Sequence, residues 1–142
     1  MADSATPRYT SIGVLTSGGD APGMNAAIRA VVRAGNYYGL RVYGIHKGYH
    51  GLLRGEMEVL TNRSVSETLQ RGGTFLQTAR SKEFMTEDGL QKAVSMARVF
   101  GVDVVVVIGG DGSYRGALDL SKRGLPVIGL PGTIDNDIGN TE

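Results

Sequence analysis

Residues 16–25 form the first of three glycine-bearing segments whose composition suits phosphate binding. The adjacent Gly18 and Gly19 allow backbone N–H groups to approach an anion closely, and a helix predicted to follow adds positive charge at its N-terminus. No Gly-Lys-Ser/Thr follows, so this is not a Walker A loop, and the Gly-x-Gly-x-x-Gly fingerprint of dinucleotide-binding proteins is absent from the segment. Taken alone, the segment fits a phosphate loop and a plain strand-to-helix turn equally well.

The second segment, residues 109–114, places three glycines around Asp111 directly after a strongly apolar run. A carboxylate there can hold Mg²⁺, directly or through water, while the bare backbone lies against phosphate groups. Ser113 is a natural N-cap for the next predicted helix, and its hydroxyl is also within reach of a phosphate. Asp111 could instead be a simple turn residue, but the flanking glycines favour phosphate binding.

The third segment, residues 131–137, carries Asp135 and Asp137 two positions apart, with Thr133 two positions before the first. One carboxylate can accept a proton from an attacking alcohol while the other positions substrate or metal, and the Thr133 hydroxyl can anchor substrate. By itself the segment is more typical of a surface Asx-turn, because Asp and Asn favour turns. Together, however, the three segments supply the recurring parts of phosphoryl transfer: phosphate-binding backbone, a metal carboxylate and a carboxylate base.

Apolar runs and helical spacing predict the elements that would bring these segments together. Strands are predicted at residues 11–16, 41–46, 103–108 and 125–130. Helices are predicted at residues 23–38, around 64–69, at 88–100 and from the second glycine segment to about 123. This alternation predicts an α/β, doubly wound, mostly parallel sheet with helices on both faces, a Rossmann-like fold. Ligands bind at the carboxyl ends of the strands in such a sheet, so the three segments should converge.

The helix predicted over residues 23–38 should have one buried face and one polar face. Its apolar positions are Met24, Ala27, Ile28, Val31 and Tyr38, and its polar positions are Asn25, Arg29, Arg33 and Asn36. Gly39 is the expected stop signal. His46 and His50 have no charged partner in the sequence pattern and no metal-ligand spacing, so no role is assigned to them.

The composition is that of one globular domain with no bulk charge. Of 142 residues, 41% are apolar and 20% charged, and the net charge of +1 does not suggest nucleic acid or an anionic membrane as partner. The absence of cysteine excludes a disulfide framework and fits a cytoplasmic protein. Residues 1–10 form a polar tail without a signal peptide, and the longest strongly apolar run, 104–108, is too short to span a bilayer.

Four segments resemble the bacterial-type 6-phosphofructokinases, in the order and near the spacing of that family. They are residues 12–29, 71–80, 107–113 and 129–137. The resemblance implies that residues 11–142 are the ATP-binding domain of an enzyme that phosphorylates fructose 6-phosphate at O1 with MgATP. It also implies that the sequence stops before the family's second, substrate-binding domain and that the complete protein is a homotetramer.

The resemblance assigns a role to each candidate residue. Asp135 would remove the proton from O1, with Thr133 and Asp137 supporting substrate and transition state and Ile134 lining the substrate site. Asp111 would serve Mg²⁺, and Arg80 would reach across the transferring phosphoryl group, since a guanidinium can bridge phosphate oxygens. The residues implied to contact ATP are Gly19, Arg80, Ser81, Gly110, Asp111, Gly112 and Ser113.

Two glycines bear on the phosphoryl donor. Pyrophosphate-dependent relatives usually carry Asp where this chain has Gly112 and Lys where it has Gly132. An aspartate at the first position would crowd and repel the α-phosphate of ATP, and a lysine at the second would add charge near the phosphoryl group. Glycine at both positions favours ATP. The alternatives are a pyrophosphate-dependent phosphofructokinase and a non-catalytic nucleotide-binding fragment.

Arg29 and Arg33 lie one turn apart on the polar face of the first predicted helix. They are either a solvated basic face or, as the resemblance implies, part of an effector site for ADP or phosphoenolpyruvate between subunits. The family's arginine in a later loop aligns here with Asn62, and Arg63 is its neighbour. Because of this departure, both interpretations stay open.

Overall fold

The computed structural model describes residues 9–18, 23–66, 74–79, 81–110 and 113–132. Its strands are β1 (Ser11–Thr16), β2 (Arg41–Ile45), β3 (Met57–Leu60), β4 (Val104–Gly109) and β5 (Val127–Pro131). Its helices are α1 (Met24–Tyr37), α2 (Gly48–Arg54), α3 (Asn62–Val65), α4 (Glu87–Phe100) and α5 (Ser113–Lys122), and a 3-10 turn spans Glu83–Met85. None of the helices described is long and apolar enough to cross a membrane.

The strands form one sheet in the order β3-β2-β1-β4-β5. Strand β1 pairs in parallel with both β2 and β4, and β4 pairs in parallel with β5, while β3 runs antiparallel to β2 at the edge. The doubly wound, mostly parallel fold is therefore confirmed, and the four predicted strands are in place with ends shifted by no more than two residues. Strand β3 and helix α2 were missed, because their short segments show no clear periodicity.

Helix α3 differs from its prediction. It begins at Asn62, two residues before the predicted start, and ends at Val65. The Thr61 hydroxyl accepts a hydrogen bond from the Ser64 N–H, and the Ser64 hydroxyl accepts one from the Thr61 N–H, so a capping box sets the start. Residues 67–69 of the predicted helix lie outside the described residues.

The core consists of two layers, one on each face of the sheet. In β4, Val105 and Val107 contribute to one layer, and Val104, Val106 and Ile108 contribute to the other. A continuous apolar run is therefore buried on both faces, as expected for a central strand of a parallel sheet. Helices α2, α4 and α5 cover the first layer, and α1 covers the second.

The predicted faces of α1 need two corrections. Tyr38 is 75% exposed rather than buried, because the helix ends at Tyr37 and Gly39 takes a left-handed φ of 78°. Asn25 is 1% exposed rather than solvated. The buried stripe runs through Asn25, Ile28, Val32 and Gly35, a spacing of three and four residues that could have identified Asn25 as an inward-facing position.

Asp103 joins the amino-terminal ends of β1 and β4. Its Oδ2 accepts hydrogen bonds from the N–H of Thr10 at 2.7 Å, from the N–H of Ser11 at 3.1 Å and from the Thr10 hydroxyl at 3.2 Å. Hydrogen bonds from these groups, the Thr10 N–H foremost, hold the pKa of Asp103 below its ordinary value of 3.8. The carboxylate is therefore favoured in the folded state.

Asp103→Asn should destabilise the fold in a pH-dependent way. A carboxyl group with a lowered folded-state pKa stabilises the protein fully above its unfolded pKa of 3.8, and that stabilisation is lost as the pH falls through the folded pKa. At neutral pH the substitution should cost about 1 kcal/mol, the net value of a hydrogen bond near water. Urea denaturation from pH 7 to pH 3 should show the gap between wild type and variant closing below pH 4. A gap independent of pH would contradict this role for the charge.

Candidate functional site

Three of the predicted loops leave neighbouring parallel strands at the same edge of the sheet. Thr16 of β1 is paired with Ile108 of β4, and Gly109 of β4 is paired with Pro131 of β5. The Ser17 N–H donates to the Ile108 carbonyl oxygen at 2.9 Å, so the first loop begins against the end of β4. The stems of the three glycine-bearing segments therefore lie side by side, as the sequence predicted.

Several predicted site residues are beyond the described part of the chain. These are Gly19, Arg80, Asp111, Gly112, Thr133, Ile134, Asp135 and Asp137. What the structure places is the backbone leading into and out of them. Gly110 is exposed immediately after β4, and Ser113 opens α5 directly after the second loop.

The first two loops flank the topological switch point of the sheet. From β1 the chain passes through α1 to β2 on one side, whereas β4 lies on the other side of β1. In open α/β sheets the crevice for ligands forms where the order reverses in this way, here between the carboxyl ends of β1 and β4. Neither α1 nor α5, the helices that follow the two loops, has an acidic residue in its first turn, so both N-termini keep their partial positive charge for an anion.

The third loop begins in tight contact with the other two. Gly132 is buried, and a Cβ atom at this position would lie 3.1 Å from Cε of Met24 and 3.7 Å from Cα of Gly109. Met24 is the first residue of α1 and belongs to the first segment, while Gly109 opens the second. A side chain at position 132 would therefore have to displace the end of Met24 to fit.

A fourth segment crosses the same edge and leads to Arg80; we call residues 74–79 the strap. The Thr16 hydroxyl lies 3.1 Å from the Thr74 hydroxyl and donates to the Gln77 carbonyl oxygen at 3.2 Å. The strap is held further by the Phe75 N–H, which donates to Oδ1 of Asn25 at 2.8 Å. The sequence did not identify Thr16 as a contact of the strap. One signal was available, because Thr16 places a hydroxyl at the end of an otherwise apolar strand.

Ser81, predicted to lie beside the nucleotide, uses its hydroxyl within the chain. Its Oγ accepts a hydrogen bond from the Phe84 N–H at 3.1 Å and so ties residue 81 to the 3-10 turn that follows. The Phe84 ring stacks on Tyr49 of α2, with centroids 4.4 Å apart and planes at 13°. Gly116 of α5 leaves room for this pair, since a Cβ there would lie 3.0 Å from both rings. The chain just after Arg80 is therefore anchored to α2 and α5.

Tyr49 is a packing residue of this edge. Burial raises the pKa of its hydroxyl, and the neighbouring Tyr114 raises it further, so Tyr49 stays neutral at physiological pH. Glu83 holds the same turn from the solvent side, with one carboxylate oxygen 2.9 Å from Nζ of Lys92 and the other 3.5 Å from Arg54. The hydrogen bond from Lys92 is the main cause of a lowered Glu83 pKa.

The predicted effector residues lie on α1 and α3. Helix α3 packs against α1, and the Asn62 N–H donates to Oδ1 of Asn36 at 3.0 Å. Arg63 and Arg33 are exposed, and Arg29 is half-buried. The structure therefore brings the segment carrying Arg63 against the helix that carries the other two arginines, a proximity that the sequence did not show.

His46 also has a partner that the sequence did not reveal. Its Nε2 lies 2.5 Å from a carboxylate oxygen of Glu58. The two residues come together because β3 runs antiparallel to β2, a pairing that the sequence analysis did not predict.

Comparison with known proteins identifies relatives over nearly all of the chain. A family model described as phosphofructokinase matches residues 11–142. The ATP-dependent 6-phosphofructokinase of Clostridium tetani is 62% identical over 131 residues, covering 92% of this chain and 41% of that protein. The protein of the same name from Clostridium botulinum is 60% identical over 132 residues, covering 93% and 41%. This chain thus spans about two fifths of the length of these curated relatives.

Solved structures show the same fold. The T-state phosphofructokinase of Pichia pastoris superposes with a TM-score of 0.84 at 40% identity, covering 93% of this chain and 17% of that one. A pyrophosphate-dependent phosphofructokinase from Marinobacter aquaeolei gives a TM-score of 0.74 at 20% identity, covering 89% and 34%. At that identity the second likeness concerns the fold alone.

Proposed function

Because this chain belongs to the phosphofructokinase family, we propose that it is the nucleotide-binding part of an ATP-dependent 6-phosphofructokinase. The complete protein transfers the γ-phosphoryl group of ATP to O1 of fructose 6-phosphate. The observation that carries this proposal is the meeting of three loop stems at the switch point of the sheet, where Thr16, Gly109 and Pro131 end adjacent strands. Relatives named as ATP-dependent enzymes at 60–62% identity support the choice of reaction.

In this proposal the second loop binds the phosphates of ATP and the metal ion. Backbone N–H groups of residues 110–113, together with Gly19, contact the phosphates, and the N-termini of α1 and α5 favour their negative charge. The described residues contain no cluster of three acidic or histidine side chains suited to a metal ion. The ion proposed is Mg²⁺, which is typically held by one or two carboxylates, here Asp111, together with waters and nucleotide phosphates. When bound, the ion neutralises charge on the phosphates.

The third loop provides the acceptor side of the reaction. The O1 oxygen of the sugar forms a bond to the γ-phosphorus, its proton passes to the Asp135 carboxylate, and the bond to the β-phosphate oxygen breaks to release ADP. Thr133 and Ile134 hold the sugar phosphate, and Asp137 supports the transition state with Thr133. Arg80, the residue after the strap, spans the transferring group, while Ser81 lies beside the nucleotide.

ATP is the proposed donor rather than pyrophosphate. Glycines occupy positions 112 and 132, and the space at 132 is narrow because Met24 and Gly109 border it. A lysine there, as in pyrophosphate-dependent relatives, would require Met24 to move. We further propose that residues 11–142 are the ATP-binding domain and that the complete protein is a cytoplasmic homotetramer. Arg29, Arg33 and Arg63 belong to the proposed effector site for ADP or phosphoenolpyruvate.

The test compares donors on the complete protein. Formation of fructose bisphosphate would be followed with ATP or pyrophosphate as donor, with chain 1–142 assayed in parallel. We expect kcat/KM with ATP to exceed that with pyrophosphate by about 100-fold or more, because pyrophosphate lacks the nucleoside and the α-phosphate that a site for ATP is built to contact. Chain 1–142 alone should show no turnover, because the family's second domain supplies sugar-phosphate ligands. A higher kcat/KM with pyrophosphate would identify pyrophosphate, not ATP, as the donor. Binding of nucleotide by the complete protein without turnover would support the non-catalytic alternative.

A further inference from the structure

We propose that Thr16 is a positioning residue, whose buried hydroxyl sets the strap, and through it Arg80, in place relative to the first glycine loop. This inference rests on the proposed function. Thr16 is the last residue of β1, and Ser17 after it begins the glycine loop. Gln77, which Thr16 contacts, is three residues from Arg80 and thus within about 11 Å of chain length. The Thr16 side chain therefore links the start of the glycine loop to the segment that leads to Arg80.

The link is an ordered series of hydrogen bonds in the protein interior. The Leu76 N–H donates to the Thr74 hydroxyl oxygen at 3.2 Å, and the hydroxyls of Thr74 and Thr16 lie 3.1 Å apart. Thr16 donates its own proton to the Gln77 carbonyl at 3.2 Å, so Thr74 must be the donor between the two hydroxyls. Thr16 is fully buried, and Thr74 is 9% exposed. Each hydroxyl thus has a fixed orientation.

The strap adopts an unfavourable backbone shape to make this contact. Gln77 has a φ of 67°, a left-handed value that costs a residue with a side chain about 1–2 kcal/mol. Lys47, whose N–H donates to the Leu76 carbonyl oxygen at 2.8 Å, has a φ of 64°. Gly48 approaches so closely that a Cβ would lie 2.9 Å from the Thr16 carbonyl oxygen. Strained residues gathered around one contact indicate that a specific geometry of the strap is maintained.

The hydroxyl at position 16 is not needed to fill space. Valine has nearly the same shape and a high β-propensity, but it would leave the buried Thr74 hydroxyl and the Gln77 carbonyl without this partner. The hydroxyl instead gives the strap one register, because the carbonyl of Gln77 must meet it. A strap shifted by about 1 Å would misplace the arginine that follows, and displacements of that size can cost about 100-fold in rate.

The test compares hydroxyl and methyl at position 16 in the complete protein. Thr16→Val should lower kcat/KM for ATP by about 10- to 100-fold, whereas Thr16→Ser, which keeps the hydroxyl, should remain within about threefold of wild type. Thr74→Val removes the other half of the contact. If the two residues act through one hydrogen bond, the double variant should lose no more than about threefold beyond Thr16→Val alone.

The control is Ser11→Ala at the opposite end of β1. Ser11 is 5% exposed, and its hydroxyl donates to the Gly101 carbonyl oxygen, so this variant also loses a buried hydrogen bond. It should lower the melting temperature without changing kcat/KM. A Thr16→Val or Thr74→Val variant with wild-type kcat/KM would overturn the positioning role, even if its melting temperature were lower. If Thr16→Val does not fold, the Thr74→Val variant alone provides the test. An inactive wild-type protein would instead remove the proposed function on which this inference rests.

Discussion

Replacing Asp135 by asparagine in the complete protein is expected to lower kcat by about 10²- to 10⁴-fold, the usual contribution of a positioned general base. The amide of asparagine is close in size to the carboxyl group but cannot accept the O1 proton. Binding of ATP should change little, because ATP contacts are assigned to other loops. The measurement is kcat for fructose bisphosphate formation, with the dissociation constant of ATP determined separately by calorimetry.

Asp103→Asn is the matched control for this substitution. It makes the same chemical change at the amino-terminal edge of the sheet, where the Asp103 carboxylate accepts hydrogen bonds from the N–H groups of Thr10 and Ser11. It should cost stability and leave kcat within about twofold of wild type, since it touches no group assigned to the reaction. A normal kcat in Asp135→Asn would remove that residue from the catalytic role, and an equal loss in both variants would attribute the effect to stability.

Gly112→Asp is expected to raise KM for ATP by about 100-fold. A carboxylate placed beside the α-phosphate adds like-charge repulsion, which costs several kcal/mol where water is excluded. Turnover with pyrophosphate, which lacks an α-phosphate and a nucleoside, should suffer much less. The readout is the ratio of kcat/KM for the two donors in the complete protein.

Gly112→Asn separates charge from bulk in this experiment. Asparagine matches aspartate in size but is neutral, so it should raise KM for ATP by no more than about 10-fold. The excess loss in Gly112→Asp should also shrink as salt is added, because screening weakens the repulsion. Equal effects of the two substitutions would mean that crowding, not charge, distinguishes the donors.

The sequence alone predicted four of the five described strands and the glycine-bearing loops that follow three of them, but not β3 or α2. Five adjacent apolar residues, 104–108, are a local signal for a strand buried on both faces, and the glycines after it mark where the backbone changes direction. The resemblance to phosphofructokinases rested on the same loops, and the family is confirmed. The roles of Asp111 and Asp135 stay predictions, because these residues lie outside the described part of the chain.

Contacts between distant segments required the tertiary structure. Asn25 seemed polar and solvated, yet it accepts the N–H of Phe75, fifty positions later in the chain. Thr16 seemed the end of an apolar strand, yet it holds the strap through Gln77. His46 contacts Glu58 because β3 runs antiparallel to β2, and the sequence shows no periodicity that would predict this strand. The physical reason is common to all three: periodicity and turn chemistry act over a few residues, whereas a polar group takes whichever partner the packing of the sheet brings to it.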